Sequence, residues 1–319
     1  MRIVQKFGGS SLADRERLRR AARLCLEARR RGSEVVLVVS AAGDSTDEMI
    51  RLARSLSPQP PAREMDALLA TGEQRSAALM AITLNALGAP ARSFTGWQAG
   101  LITDERHGCA RVVLANPRLL IRSLEEGEIP VVAGFQGATP RGEITTLGRG
   151  GSDTTAVALA AALEAGRCEI YSDVDGVYTA DPRLVPEARL VPEADSRDLL
   201  ALAEGGAQVL HAACLRLAIE NRQRLTLLSS FTGASGSEVA LLDEAARPAL
   251  AGVTRDESAH TVTLAGPAAP GLAETLLAET LLPAGLAAPG CLVTENSVSY
   301  FTPPGKELEA LRAVHAAVF

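Results

Sequence analysis

The residue pattern predicts an α/β protein, with a mainly parallel sheet covered by helices on both faces and a smaller α+β region after it. Three observations lead to this. Residues 35–40 (VVLVVS) form a continuous apolar run, the mark of a strand buried on both sides. Up to Phe231, short β-branched runs alternate with longer stretches of helical spacing, as parallel crossovers require. Beyond residues 233–236 (GASG) the texture changes to short alternating segments and isolated helices.

Residues 3–7 read as the first strand. Residues 14–31 follow as an amphipathic helix, with Leu18, Ala22 and Leu26 on one side and a solvated arginine face on the other. Strand 35–40 precedes helical patterns at 46–55 and 65–87, with the Pro-rich 58–61 (PQPP) as a loop between them. Then come strand 130–134, helix 152–165, strand 168–172, helix 207–221 and strand 225–231. In the C-terminal region, 258–264 and 297–301 alternate as strands, while 271–282 and 306–318 are helical. The expected division is 1–235 and 236–319, the second piece at the low end of domain sizes.

Composition narrows the function. With 47% hydrophobic and 22% charged residues the chain belongs with folded soluble proteins. A net charge of −6 argues against a dedicated nucleic-acid binder. The five cysteines (Cys25, Cys109, Cys168, Cys214, Cys291) show no metal-ligand spacing and read as free thiols in a reducing compartment. No signal-peptide pattern or membrane-length apolar run is present, so a cytoplasmic location and no membrane partner are expected. The histidines, His107, His211, His260 and His315, are scattered and read as structural or exposed.

Three stretches carry chemistry. Lys6-Phe7-Gly8-Gly9-Ser10-Ser11 stands where a strand ends and a helix begins. Glycines there let backbone approach an anion, and a lysine adds a compact charge for a phosphate. It is neither a Walker loop nor GxGxxG, and a structural turn explains the glycine pair about as often. Gly148-Arg149-Gly150-Gly151-Ser152-Asp153 opens an Ala-rich helix. Arg149 suits a bidentate pair with a carboxylate, and Asp153 a lysine or a metal. Ser152 or Asp153 as a simple N-cap leaves Arg149 and the glycines unexplained. Ser172-Asp173-Val174-Asp175-Gly176 follows a strand, yet lacks the remaining ligands of a calcium loop, so a plain Asp-Gly turn competes with a ligand site.

Together these stretches resemble the aspartate kinases of the amino-acid kinase family. KFGGSS, the 39–43 segment VSAAG with Thr46 and Asp47, GEQRS at 72–76, GWQAG with ITD at 96–104, GFQG at 134–137, GRGGSDTT and SDVDGVYTADPR follow in that family's order over roughly residues 1–235. The resemblance implies a three-layer αβα amino-acid kinase fold, with a single, incomplete ACT-like domain at 236–319 lacking its last strand. It implies ATP-dependent phosphorylation of the side-chain carboxylate of L-aspartate, giving 4-phospho-L-aspartate in the route to lysine, threonine and methionine. By position, Arg149 clamps a substrate carboxylate, Glu73 pairs with the ammonium, and Ser40, Thr46 and Ser152 contact the aspartate. Lys6 balances charge on the transferring phosphoryl group beside Gly8, Gly9 and Ser11, and Asp153 organises that cluster. Ser172, Asp173, Tyr178, Arg183 and Gln208 line the nucleotide side, with Mg2+ on the ATP phosphates rather than in a protein cage. A homodimer is the expected assembly.

Two departures qualify the match. Many relatives carry a lysine where Gln208 stands, which removes a charge from the nucleotide side; Lys6 or Arg183 is the candidate replacement. The C-terminal region is expected to give weak or absent inhibition by lysine and threonine. Two other readings stay open: a same-fold kinase for another small carboxylate or phosphate, and a catalytically weak regulatory homologue. Ser40, Thr46, Glu73 and Arg149 suit an amino acid carrying two carboxylates.

Overall fold

The computed structural model describes residues 1–232 and 236–319, so 233–235 of the expected linker lie outside the described residues. The chain forms two compact units, Met1–Asp175 with Gln223–Ser235, and Gly176–Arg222 with Gly236–Phe319. Residues 176–222, which the sequence reading joined to the first 175, cluster with the C-terminal segment.

The first unit runs β1 (Arg2–Phe7), α1 (Arg15–Arg30), β2 (Glu34–Val39), α2 (Ser45–Leu56), α3 (Ala62–Ala86), β3 (Ala91–Phe94), β4 (Leu101–Thr103) and β5 (Val112–Ala115). It continues with α4 (Arg118–Glu125), β6 (Ile129–Ala133), β7 (Gln136–Ala138), β8 (Ile144–Thr146), α5 (Gly151–Ala162) and β9 (Arg167–Ser172). The chain then contributes β10 (Glu193–Asp195), α6 (Ser196–Glu204) and α7 (Ala212–Glu220) to the second unit, and returns with β11 (Leu225–Ser229).

In the first unit β11, β9, β1, β2, β6 and β3 lie side by side, every pair parallel. Side chains alternate across such a strand. Ile3, Phe7, Val35, Leu37, Val39 and Val131 share one core with Ala21 and Cys25 of α1 and Met80 and Leu84 of α3. The intervening residues Val4, Lys6, Val36, Val38 and Ile170 point to the opposite face, against α5. That helix is buried over residues 151–160, and its alanines and glycine let it lie close on the sheet. A small sheet in the order β5-β4-β7-β8 is drawn from the chain between β3 and β9. Its strands of three or four residues are too short to show periodicity.

The second unit adds β12 (Ser237–Ala240), β13 (Gly252–Asp256), β14 (Thr261–Ala265), β15 (Cys291–Val293), β16 (Ser297–Phe301) and α8 (Glu307–Val318). β10 and β12 pair in parallel. The others form an antiparallel sheet, β13-β14-β16-β15. Its core holds Val253, Val262, Leu264, Val298, Tyr300, Leu311 and Val314. The edge beside β14 is filled by β13, a strand absent from the sequence reading. Asp256 Oδ1 accepts from the N–H groups of Ser258 and Ala259, turning the chain so that β14 starts at Thr261 rather than 258.

Two helical expectations change. Residues 207–211 are a connection, because Gly206, at φ 107°, ends α6 and Ala207 N–H donates back to Leu202 O at 2.9 Å. The helix expected over 271–282 is divided among a 3₁₀ turn (Pro270–Leu272), one α-turn (Ala273–Thr275) and a π-turn (Leu276–Leu281). No helix among the described residues is long and apolar enough to cross a membrane.

Met80, fully buried, anchors α3 to the sheet. Met80→Ala is expected to cost about 2–5 kcal/mol, read as a lower urea midpoint.

Candidate active site

Ligands of open parallel sheets gather at the carboxyl ends of the strands, and here the ends of four strands, β9, β1, β2 and β6, are tied into one rim. Gly8 N–H donates to Tyr171 O at 3.1 Å, Ser40 N–H to Phe7 O at 3.1 Å, and Gly134 N–H to Val39 O at 3.0 Å. The loop after β2 closes on the glycine turn through Gly43 N–H to Gly9 O, 3.0 Å. The predicted residues Lys6, Gly8, Gly9, Ser40, Ser152 and Asp153 therefore belong to one end of the sheet.

Lys6 Nζ lies 2.6 Å from Asp153 Oδ1, with side chains 10% and 11% exposed. Alternation along β1 sends Lys6 towards α5, and Asp153 stands in the first turn of that helix, where the helix dipole favours a negative group. A nearly buried ion contact of this kind holds its partners because removing either leaves an uncompensated charge. Gly148 and Gly150, at φ 72° and 71°, flank Arg149 in a conformation that a side chain resists. Arg149 is exposed and makes no ion pair with any described residue. Ser152, 7% exposed, packs under Gly134.

Glu73 comes from α3. At Gly72 a Cβ would lie 2.9 Å from both Ala41 Cβ and Met49 Cε, so only glycine lets α3 approach the loop after β2 this closely. The approach puts Glu73 Oε1 at 3.0 Å from Ala41 N–H, while Oε2 is buried and accepts from no described group. Burial pushes the carboxyl up to about 7, and the Ala41 N–H opposes it only partly. Thr46, in the first turn of α2, and Ser40 are half-buried. Beside Thr46, the Ser45 hydroxyl is buried without a partner.

Other predicted residues have different surroundings. Ser11 turns inward and its Oγ is 2.7 Å from Ser230 Oγ; Ser230 in turn bonds Ser172 O at 3.1 Å. That chain ties the ends of β1, β9 and β11 together. Asp173 is exposed. In the second unit, Tyr178 is bridged to Leu190, Arg183 forks onto Asp181 at 3.0 and 2.7 Å, and Gln208 is exposed on the 207–211 connection.

Sequence reasoning missed Asp66 and treated His107 as incidental. Asp66 is 1% exposed and meets His107 Nδ1 at 2.7 Å. Its spacing of seven residues before Glu73 on one predicted helix was a usable signal, since residues two turns apart share a face.

The raised Glu73 pKa sets a sign for stability. Its contribution is complete below the unfolded value of 4.5 and is lost as pH rises through about 7. Glu73→Gln without ligands is therefore expected to melt higher than the parent at pH 8, by at most about 3 kcal/mol, with the gain vanishing near pH 4.5. Melting curves across that range check it; a pH-independent difference contradicts the assignment.

The sequence profile of the Amino acid kinase family matches residues 1–229. The aspartokinase of Mycolicibacterium smegmatis is 49% identical over 266 residues, 82% of this chain and 63% of that protein. That of Geobacillus stearothermophilus is 51% identical over 237 residues, 74% of this chain and 58% of that protein. The chain thus spans about three-fifths of the length of the curated relatives it matches. Among solved structures, aspartate kinase from Synechocystis aligns over 94% of this chain and 52% of that one, at 40% identity and a TM-score of 0.68. E. coli aspartokinase III in complex with aspartate and ADP aligns over 97% and 80%, at 25% identity and a TM-score of 0.74. With a matching profile over most of its length and relatives at about half identity, the chain belongs to the amino acid kinase family.

Proposed function

We propose that the protein is an aspartate kinase, transferring the γ-phosphoryl group of ATP to the side-chain carboxylate of L-aspartate. The observation that carries this reading is Glu73, a buried carboxyl with one oxygen held by Ala41 N–H and the other unpartnered. A substrate ammonium supplies the missing donor and returns the group to its ionised form. Arg149, exposed and unpaired beside Ser152, suits the α-carboxylate as a bidentate fork. Ser40 and Thr46 are the hydroxyls of the substrate loop.

The reacting carboxylate needs no general base, so catalysis rests on positioning and charge. Lys6, held by Asp153, places its ammonium where charge develops on the transferring group. Gly8 and Gly9 give the phosphates close access to backbone. Ser172, Asp173, Tyr178, Arg183 and Gln208 are candidates for nucleotide contacts on the sequence resemblance alone. Mg2+ in this reading rides on the ATP phosphates and offsets their charge. The described residues contain no cluster of three or more His, Cys, Asp or Glu suited to hold a metal. Residues 1–235 are the proposed catalytic region and 236–319 an ACT-like one.

Purified protein with ATP, Mg2+ and aspartate, followed as hydroxamate, is expected to turn over; no product at high enzyme concentration contradicts the proposal. Arg149→Ala is expected to raise the aspartate KM roughly 10- to 100-fold with little change in the ATP KM. Lys6→Ala is expected to lower kcat on the order of 10²-fold, and a kinetically neutral Lys6→Ala removes its assigned role.

A further inference from the structure

Outside the residues assigned to the reaction, one buried carboxyl group gathers donors from two separate segments of the first unit. Asp66 Oδ2 lies 2.7 Å from His107 Nδ1, which is the donor in this arrangement. Gly108 N–H is shared between Oδ1 and Oδ2 at 3.0 and 3.1 Å. The Thr146 hydroxyl donates to Oδ1 at 2.5 Å. With 1% of its surface exposed, Asp66 can receive no comparable help from solvent, so these groups decide its position and it decides theirs.

Thr146 is the last residue of β8, and Arg149 follows three residues later. The 107–110 segment clasps the same stretch, because Ala110 N–H donates to Thr146 O at 2.9 Å. Gly108 O lies 3.2 Å from the place a Cβ on Gly148 would occupy. Asp66 and Glu73 stand two turns apart on α3, on one face. A single helix therefore carries Glu73 directly and holds the root of the Arg149 loop through Asp66.

We infer that Asp66 is a positioning residue for Arg149, setting where that guanidinium stands relative to Glu73, with His107, Gly108 and Thr146 as the transmitting contacts. The inference rests on the reading of Arg149 as the substrate-carboxylate clamp. It assigns Asp66 no contact with substrate. Substrates of two carboxylates and one ammonium need a fixed separation between their cationic and anionic anchors, and small misplacements are kinetically expensive. Loss of Asp66 therefore acts on aspartate binding more than on the nucleotide.

The test is a double-mutant cycle in the full chain, with ATP and aspartate as substrates. Asp66→Ala is expected to raise the aspartate KM roughly tenfold or more with the ATP KM changed less than about twofold. Asp66→Asn should recover part of the loss, since its amide oxygen still accepts from Gly108 and Thr146. Combined with Arg149→Ala, Asp66→Ala should add little further, because both act through one group. An unchanged aspartate KM, or costs that sum in the double variant, overturns the inference. If Asp66→Ala does not fold, Thr146→Val takes its place, with a smaller KM rise that again disappears in the Arg149→Ala background. Hydrogen exchange in the absence of substrate separates this inference from the proposed activity. Faster exchange confined to 106–110 and 146–151 supports it even if aspartate is not a substrate, and unchanged protection there overturns it.

Discussion

The contact between Lys6 Nζ and Asp153 Oδ1, 2.6 Å, joins the first strand of the main sheet to the first turn of its most buried helix, and the site is arranged around it. A lysine and an aspartate at about a tenth exposure are tolerable only together. Their meeting requires that β1 present Lys6, and not Gln5 or Phe7, to the face that α5 covers. It also requires α5 to begin where it does, just past Gly148 and Gly150. Those two glycines keep the chain from entering the helix earlier and leave Arg149 outside it. One ion contact therefore couples strand register, helix start and the exposure of the arginine.

α3 imposes the second constraint. Its inward face packs through Met80 and Leu84, and the glycine at 72 allows a backbone approach that drives Glu73 beneath Ala41. The result is a carboxyl that is poorly solvated and half-satisfied, with its pKa raised to about 7 by burial. Folding alone gains nothing from such a group, which makes ligand binding the reasonable account of its placement. Asp66, on the same helix, is the contrasting case: buried as deeply, but with hydrogen-bond donors on both oxygens.

The second unit solves a different problem. Asp195 and Asp198, both fully buried, are joined by Arg197 and Arg247, and Asn296 donates to Asp198 at 3.0 Å. Burial raises the Asp198 pKa while Arg247 and Asn296 work against it. This network knits α6 to the segment after β12 and to the β15–β16 turn, three pieces far apart in sequence. In such a network an unpaired member is costly, so the three segments are expected to keep one arrangement.

Much of this was legible in the sequence. The strands at 2–7, 34–39 and 129–133 and the helices at 62–86 and 151–162 follow from apolar runs and helical spacing, because burial on both faces leaves few polar positions to blur the pattern. Lys6, Arg149 and Asp153 stood out through glycine turns at strand–helix junctions. The strands of three or four residues did not, since so few positions carry no period, and the 207–211 connection was hidden by helix-forming residues whose path is turned by Gly206. The sequence placed Ser11 beside the phosphates, and only the fold brings its hydroxyl to within 2.7 Å of that of Ser230. By itself the sequence determined the parallel α/β core and the identity of the charged residues at its rim, because these depend on local composition and alternation. Only the tertiary structure decided which acids meet a partner: Asp153 finds Lys6, Asp66 finds His107, and Glu73 is left half-satisfied. Those pairings join residues 41 to 147 positions apart, or depend on a single missing Cβ, and no local pattern records such a distance.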